Sequence, residues 1–242
     1  MPAMVRSYVL SVLVHMSATI VYGYSLYWCY TNPDIPTKNP KGAIGWRYKY
    51  LTFWDLWLQF IAFSLCLLSD ILSTQSKSSQ IARLRDIVFN SLALPVGIFV
   101  VISFWGIYAV DRELIFPTGI EKWYPVWLNH TTHTIVLPVL LLESYLVCHQ
   151  SASRGPRTSY PHLLLIVVIA YLLWTLFIAM QTGHWVYGIL EVLNWPSRGA
   201  FFAGSASLIM SFFYVGSYIN TTFWGTVPTA KAKSDNNRRK VK

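Results

Sequence analysis

LTFWDLWLQFIAFSLCLLSDIL, residues 51–72, is a predominantly apolar run of 22 residues carrying only two acidic side chains and no basic one. At about 1.5 Å of rise per residue, a helix of this length covers the roughly 30 Å of hydrocarbon in a bilayer. Five further stretches share its length and character, at residues 7–28, 87–108, 126–148, 162–180 and 199–223. The chain therefore reads as an all-α, polytopic membrane protein with six transmembrane helices. Composition agrees: of 242 residues 54% are hydrophobic and only 12% charged, with a mean hydropathy of +0.42. A soluble domain carries about 25% charged residues, so this complement cannot coat a water-facing surface of such size. Disorder and a disulfide-rich secreted scaffold are excluded by the same numbers. The aromatic share of 16%, with 11 Trp, suits rings at headgroup level, and Trp46, Trp54, Trp57, Trp123 and Trp127 are placed to form such a belt.

Between the spans lie turn formers and charges, including Asn32-Pro33-Asp34, Pro117-Thr118-Gly119 and Trp195-Pro196-Ser197. Pro95 and Pro138 interrupt the third and fourth spans, and a kink is expected at each. Counted by alternate loops, twelve of the nineteen Lys and Arg fall on one side, the side of both termini. By the positive-inside rule that side is cytoplasmic. The expected organisation is a single membrane domain over residues 1–228 and a basic, disordered tail over 229–242. The net charge of +9 then reports topology and needs no nucleic-acid partner. Cys29, Cys66 and Cys148 show no Cys-x-x-Cys spacing.

An ionisable or polar group inside a span is costly and marks function by default. The second span holds Thr52, Asp55 and Gln59, which on a helix form one stripe. The fourth holds Asn129, His130, His133 and Thr134, with a second stripe of imidazoles and hydroxyl, and Glu143 deeper in. Both spans enter from the same, exoplasmic side, so Thr52 and the histidine pair share a leaflet. Asp111, Arg112, Glu113, His184 and Tyr187 lie in loops on that side too. A hydroxyl, an imidazole and a carboxylate at one depth are the parts from which an ester-cleaving site is built.

Plainer readings compete. A threonine in a membrane helix commonly bonds its own i−4 carbonyl, and Asp55 can snorkel to headgroups or pair with Lys49. His15 reads as a lone packing or interhelical hydrogen-bond residue, and Glu143 as half of a structural pair with another helix. His130 and His133 share a face, but a zinc site wants further ligands that no motif supplies; no metal or cofactor is expected. Gly204 to Ser207 offer a small-residue face for helix packing or a dimer contact.

The stretches GWRYKYLTFWDLWLQ (45–59), LALPVGIFVVISFWGIYAVDRELIFP (92–117), PVWLNHTTHTIVLP (125–138) and TGHWVY (182–187) together resemble the family of the androgen-induced protein and the androgen-dependent TFPI-regulating protein. The resemblance runs in order from about residue 45 to 218. It implies a multi-pass membrane hydrolase that cleaves fatty acid esters of hydroxy fatty acids with one Thr and one His, which fall here on Thr52 and His133. Gly188 and Phe116 stand where relatives have Pro and Tyr, and these departures bear on acyl-chain preference. On this reading His133 takes the Thr52 proton and Asp55 or His130 orients it. Asn129, Arg112 or an indole serves the oxyanion, and Lys49, Arg47 or Arg112 holds the substrate carboxylate. The partners are then an amphiphilic lipid ester and membrane lipids, in the plasma membrane or endoplasmic reticulum. The rival is a non-enzymatic scaffold whose polar stripes bind a lipid, a membrane protein or a second copy of the chain.

Overall fold

In the computed structural model the chain is described over residues 8–32, 44–72, 80–149 and 160–225. Lys38, Lys41, Lys77, Arg154, Arg157 and the basic segment 229–242 lie outside the described residues. Helices α1 (Tyr8–Thr31), α2 (Leu51–Leu72), α3 (Gln80–Val88), α4 (Leu94–Val110), α5 (Val126–His133), α6 (Val136–Leu146), α7 (Tyr160–Thr182), α8 (Gly188–Val192) and α9 (Trp195–Trp224) follow in order. Five stretches, α1, α2, the continuous run Gln80–Val110, α7 and α9, are long and apolar enough to cross a membrane, and α6 is a shorter apolar helix. The molecule is an all-α polytopic membrane protein.

The two prolines shape the third and fourth spans. Pro138 has no N–H to give the Thr134 carbonyl, and its ring crowds that carbonyl. The fourth span is consequently two helices, with α5 and α6 separated at Thr134 and Ile135, whose amides both turn back to His130 O at 2.9 Å. Pro95 acts likewise on Ser91, and residues Phe89–Ala93 widen into a π-turn between α3 and α4. A Gln59 amide donates to the Ala93 carbonyl in that turn at 2.9 Å, so the polar stripe of α2 finds its partner on a disturbed stretch of backbone. The third span also begins earlier than its hydropathy suggests, because α3 carries Arg83, Arg85 and Asp86 on its first turns.

Helix α4 is apolar all round and buried over most of its first half, as a central membrane helix should be. On one side Leu94 and Ile98 join Tyr22, Phe63, Phe89 and Leu140 in the larger core. On the other, Val96 and Val100 meet Leu164 of α7 and Ile209 of α9. Outward-facing Ile166, Leu173, Met180 and Tyr218 are exposed, as lipid-facing side chains are.

Two expectations are corrected. His15 is not lone: its Nδ1 meets Asp70 at 2.5 Å and its Nε2 meets Glu143 at 2.6 Å. As a site of close helix packing within the chain, the small-residue stretch is replaced by Gly216: a Cβ at Gly204 would meet nothing within 4 Å, whereas one at Gly216 would stand 2.5 Å from a Leu94 methyl of α4. Gly97 of α4 is crowded from three sides: a Cβ there would lie 2.6 Å from Leu140, 2.7 Å from Gln59 and 2.8 Å from Val136. Gly97→Ala should therefore lower thermal stability in detergent by about 1–3 kcal/mol, the usual cost of overpacking, whereas Gly106→Ala, with open space around it, should not.

Candidate active site

Thr52 is the second residue of α2, and what precedes it explains why its hydroxyl is available. Gly45 and Trp46 both take left-handed φ values, +84 and +44. They reverse the chain into a 3-10 turn, Trp46–Lys49, beneath Trp174 and Ile178, each 3.1 Å from where a Gly45 Cβ would sit. In a membrane helix Thr52 would bond the carbonyl of Tyr48 or Lys49. Both are occupied. Tyr48 O accepts the indole N–H of Trp54 at 2.7 Å and of Trp174 at 2.9 Å, and Lys49 O accepts the Tyr171 hydroxyl at 3.0 Å. Leu51 N donates to Tyr187 Oη at 3.0 Å, and Tyr187 stands 3.1 Å from Tyr171. Burial pushes the Tyr187 phenol above its ordinary pKa, so it stays a hydroxyl.

With its own carbonyls taken, the Thr52 hydroxyl reaches across to His133 Nε2 at 3.1 Å. The other ring nitrogen, Nδ1, lies 2.8 Å from Asn129 Oδ1 and 3.1 Å from the Asn129 carbonyl. A backbone carbonyl only accepts, so Nδ1 carries the proton and Nε2 presents its lone pair to Thr52. Phe104 stacks on the imidazole, 3.7 Å between centroids at 16°. The His133 carbonyl, at the break caused by Pro138, accepts from Trp105 Nε1 at 2.6 Å. The ring is thus fixed on its face, at its far nitrogen and at its backbone.

The other predicted residues go elsewhere. Asp55 is buried on the core side of α2 and accepts from Gln59 at 2.8 Å; it makes no hydrogen bond to His133. His130 is three residues back, on the exposed side of α5, with Nδ1 3.1 Å from Thr134 Oγ1. Asn129, one of three oxyanion candidates in the sequence, lies under Nδ1 because it stands at i−4, and it is its Oδ1 that meets the ring. Arg112 pairs with Glu121 at 2.6 Å and rests over Tyr108 and Phe116. Its loop is tied by Glu113 to the Thr118 amide and hydroxyl, bonds that hold the Glu113 carboxyl below its ordinary pKa. Arg47 is buried over Trp28 and Trp46, 5.7 Å from each ring.

Two cavities meet at Thr52. One, of ≈190 Å³, is lined by His133 together with Arg47, Lys49, Phe116 and Tyr124. The other, of ≈150 Å³, is walled by apolar residues of α4, α7 and α9 such as Val100, Val168, Phe202 and Ala206. Thr52, Phe104, Ile115 and Tyr187 line both. Tyr124, not foreseen from sequence, places its hydroxyl 3.1 Å from Thr132, and burial holds it protonated.

A polytopic membrane protein with a hydrogen-bonded Thr52–His133–Asn129 chain beside two cavities, one lined by cations and one apolar, is thereby defined. Residues 10–221 match the model of the FAR-17a/AIG1-like proteins, and the chain belongs to that family. It is 38% identical to the human (Homo sapiens) androgen-induced gene 1 protein over 219 residues, covering 86% of this chain and 89% of the relative. It is 34% identical to the human androgen-dependent TFPI-regulating protein over 194 residues, covering 79% and 83%. A membrane protein of Schizosaccharomyces pombe is 26% identical over 216 residues, covering 88% and 91%. No solved structure matches.

Asn129→Leu removes the acceptor at Oδ1 but leaves the backbone carbonyl, so a stability loss of about 1 kcal/mol is expected, one buried hydrogen bond. His130→Leu should leave the thermal midpoint within error. Thermal unfolding followed by intrinsic fluorescence checks both.

Proposed function

We propose that the protein is a lipid-ester hydrolase acting on fatty acid esters of hydroxy fatty acids, with Thr52 as nucleophile and His133 as base. The observation that carries the reading is the Thr52 Oγ1 to His133 Nε2 approach of 3.1 Å, with Nδ1 already committed to Asn129. A nucleophile, a base and a group orienting the base, all in hydrogen-bond reach, are the parts of a covalent acyl-transfer site.

In the first half, Thr52 Oγ1 attacks the ester carbonyl while its proton passes to His133 Nε2. The tetrahedral intermediate collapses, the carbon–oxygen bond to the hydroxy fatty acid breaks, and that alkoxide leaves with the proton from His133. In the second half, water gives a proton to Nε2 and attacks the acyl-Thr52 ester. The fatty acid departs and Thr52 recovers its hydrogen. The intermediate's oxyanion develops at the first turn of α2, the positive end of the helix dipole.

The pair of cavities suits a branched substrate with one ester and one free carboxylate. The apolar cavity takes the acyl chain, and the cavity bearing Arg47 and Lys49 takes the hydroxy-acid half, whose carboxylate a cation recognises by a charge-assisted bond. An ordinary neutral glyceride offers nothing to those cations.

Purified, monodisperse Thr52→Ala and His133→Ala variants should each lose hydrolysis by roughly 10³-fold or more, the scale seen when a triad member is removed. Asn129→Ala should lose far less, and through kcat, since the Asn129 backbone carbonyl still fixes the tautomer and only the side-chain brace on the ring is lost. Full turnover in either of the first two removes the proposed chemistry. Ala206→Phe, which fills the apolar cavity, should shift preference to shorter acyl chains while cleavage persists; chain length is read by mass spectrometry of the products.

A further inference from the structure

A second cluster of ligating side chains stands deep in the larger core, far from Thr52. Cys66 lies fourteen residues beyond Thr52 on α2, about 21 Å along the axis. Around it, His15 of α1, Glu143 of α6 and His149, just past α6, are all essentially without exposure. The donor atoms of His15, Cys66 and Glu143 all lie within 4.8 Å of one another. Glu143 Oε1 meets both Cys66 Sγ at 3.4 Å and His149 Nε2 at 3.1 Å, while Oε2 meets His15 Nε2. Three hydrogens from two rings and a thiol thus point at one buried carboxylate.

What lies behind the rings is the second observation. His15 Nδ1 is held by Asp70 at 2.5 Å, and His149 Nδ1 by Asp86 at 3.1 Å. Asp86 is braced in turn by Arg85 at 2.7 Å. A carboxylate on the far nitrogen of each imidazole, leaving the two Nε2 atoms on the two oxygens of one carboxylate, is the arrangement that surrounds metal-bound histidines. His149 is further fixed by Phe89, stacked at 4.1 Å. Its carbonyl accepts the side-chain amides of Asn90 and Asn220, at 3.2 and 3.0 Å.

We propose that His15 Nε2, Cys66 Sγ, Glu143 and His149 Nε2 form a tetrahedral zinc site that ties α1 and α2 to the end of α6. Nitrogen and sulfur donors select zinc over magnesium or calcium. Bonds of about 2.0–2.3 Å place tetrahedral ligands roughly 3.3–3.8 Å apart. Binding therefore draws together the three donors now within 4.8 Å of one another, separates His15 Nε2 from Glu143 Oε2, now at 2.6 Å, and brings in His149 Nε2 from beside Glu143 Oε1. On binding, one Zn²⁺ enters and three protons leave, the two Nε2 hydrogens and the thiol hydrogen, and Glu143 stays a carboxylate. The role is structural: four protein ligands close the coordination sphere, and neither cavity at Thr52 is lined by any of the four. The site is independent of the proposed hydrolysis.

The test uses the full chain purified in detergent through a tag without histidines. Elemental analysis should find about one zinc per chain, the stoichiometry of a four-ligand site. Chelation should lower the thermal midpoint, and added zinc should restore it. Cobalt substituted for zinc should give tetrahedral visible bands and a thiolate-to-cobalt charge-transfer band, which Cys66→Ser abolishes. The Thr52→Ala variant should keep its metal in full, which separates this site from the hydrolytic one. The proposal is overturned if folded parent protein supplied with zinc or cobalt binds neither, or shows no thiolate band. It is equally overturned if the band survives in Cys66→Ser. Should that variant misfold, the parent's cobalt spectrum alone decides.

Discussion

A polar group inside hydrocarbon must find a partner, and every distinctive feature of this molecule comes from where those partners are found. Water is absent, so a carbonyl or hydroxyl left alone costs several kcal/mol. At the start of α2 the Tyr48 and Lys49 carbonyls, which would ordinarily take up the Thr52 hydroxyl, are filled by two indoles and a phenol. The Thr52 hydroxyl bonds His133 on another helix instead. The interhelical bond is the remainder after its local competitors have been satisfied, and α7, which supplies Trp174 and Tyr171, keeps the hydroxyl available without touching it.

Proline uses the same constraint in reverse, since it removes a donor. Pro138 splits the fourth span, and the His133 carbonyl at the split is taken by Trp105. The imidazole therefore hangs from a short helix anchored to α4. Pro95 does the equivalent for the third span, where the loosened π-turn exposes a carbonyl to Gln59. Both irregularities sit where backbone is buried against protein, the only place a membrane tolerates them.

Much of this was legible in the chain. Hydropathy located the spans because length and apolarity are local properties, and shared depth brought Thr52 and His133 forward because a span's entry point fixes a residue's level. The family resemblance singled out the same two residues. Direction round a helix was harder. Asp55 and His130 share the right turns, yet they point to the core and outward, and only tertiary packing says which face meets which. Asn129 was within reach of sequence, since it stands four residues before His133. Asp70, Asp86 and His149 were not, because they fall at span ends where charge looks like ordinary flanking polarity. With them went the surroundings of His15, which seemed solitary only because its partners lie 55 and 128 positions away.

The short α5 carries a last consequence. Asn129 and His133 belong to one eight-residue segment, so the bond between them is written into a single helical turn and travels with it. The reach from His133 to Thr52 spans two bodies that no covalent geometry couples. Any sliding of α2 against this fragment leaves the imidazole's tautomer untouched and alters only one separation. The site has a rigid half, within α5, and an adjustable half, across to α2, and a shift between the two helices is felt in the second.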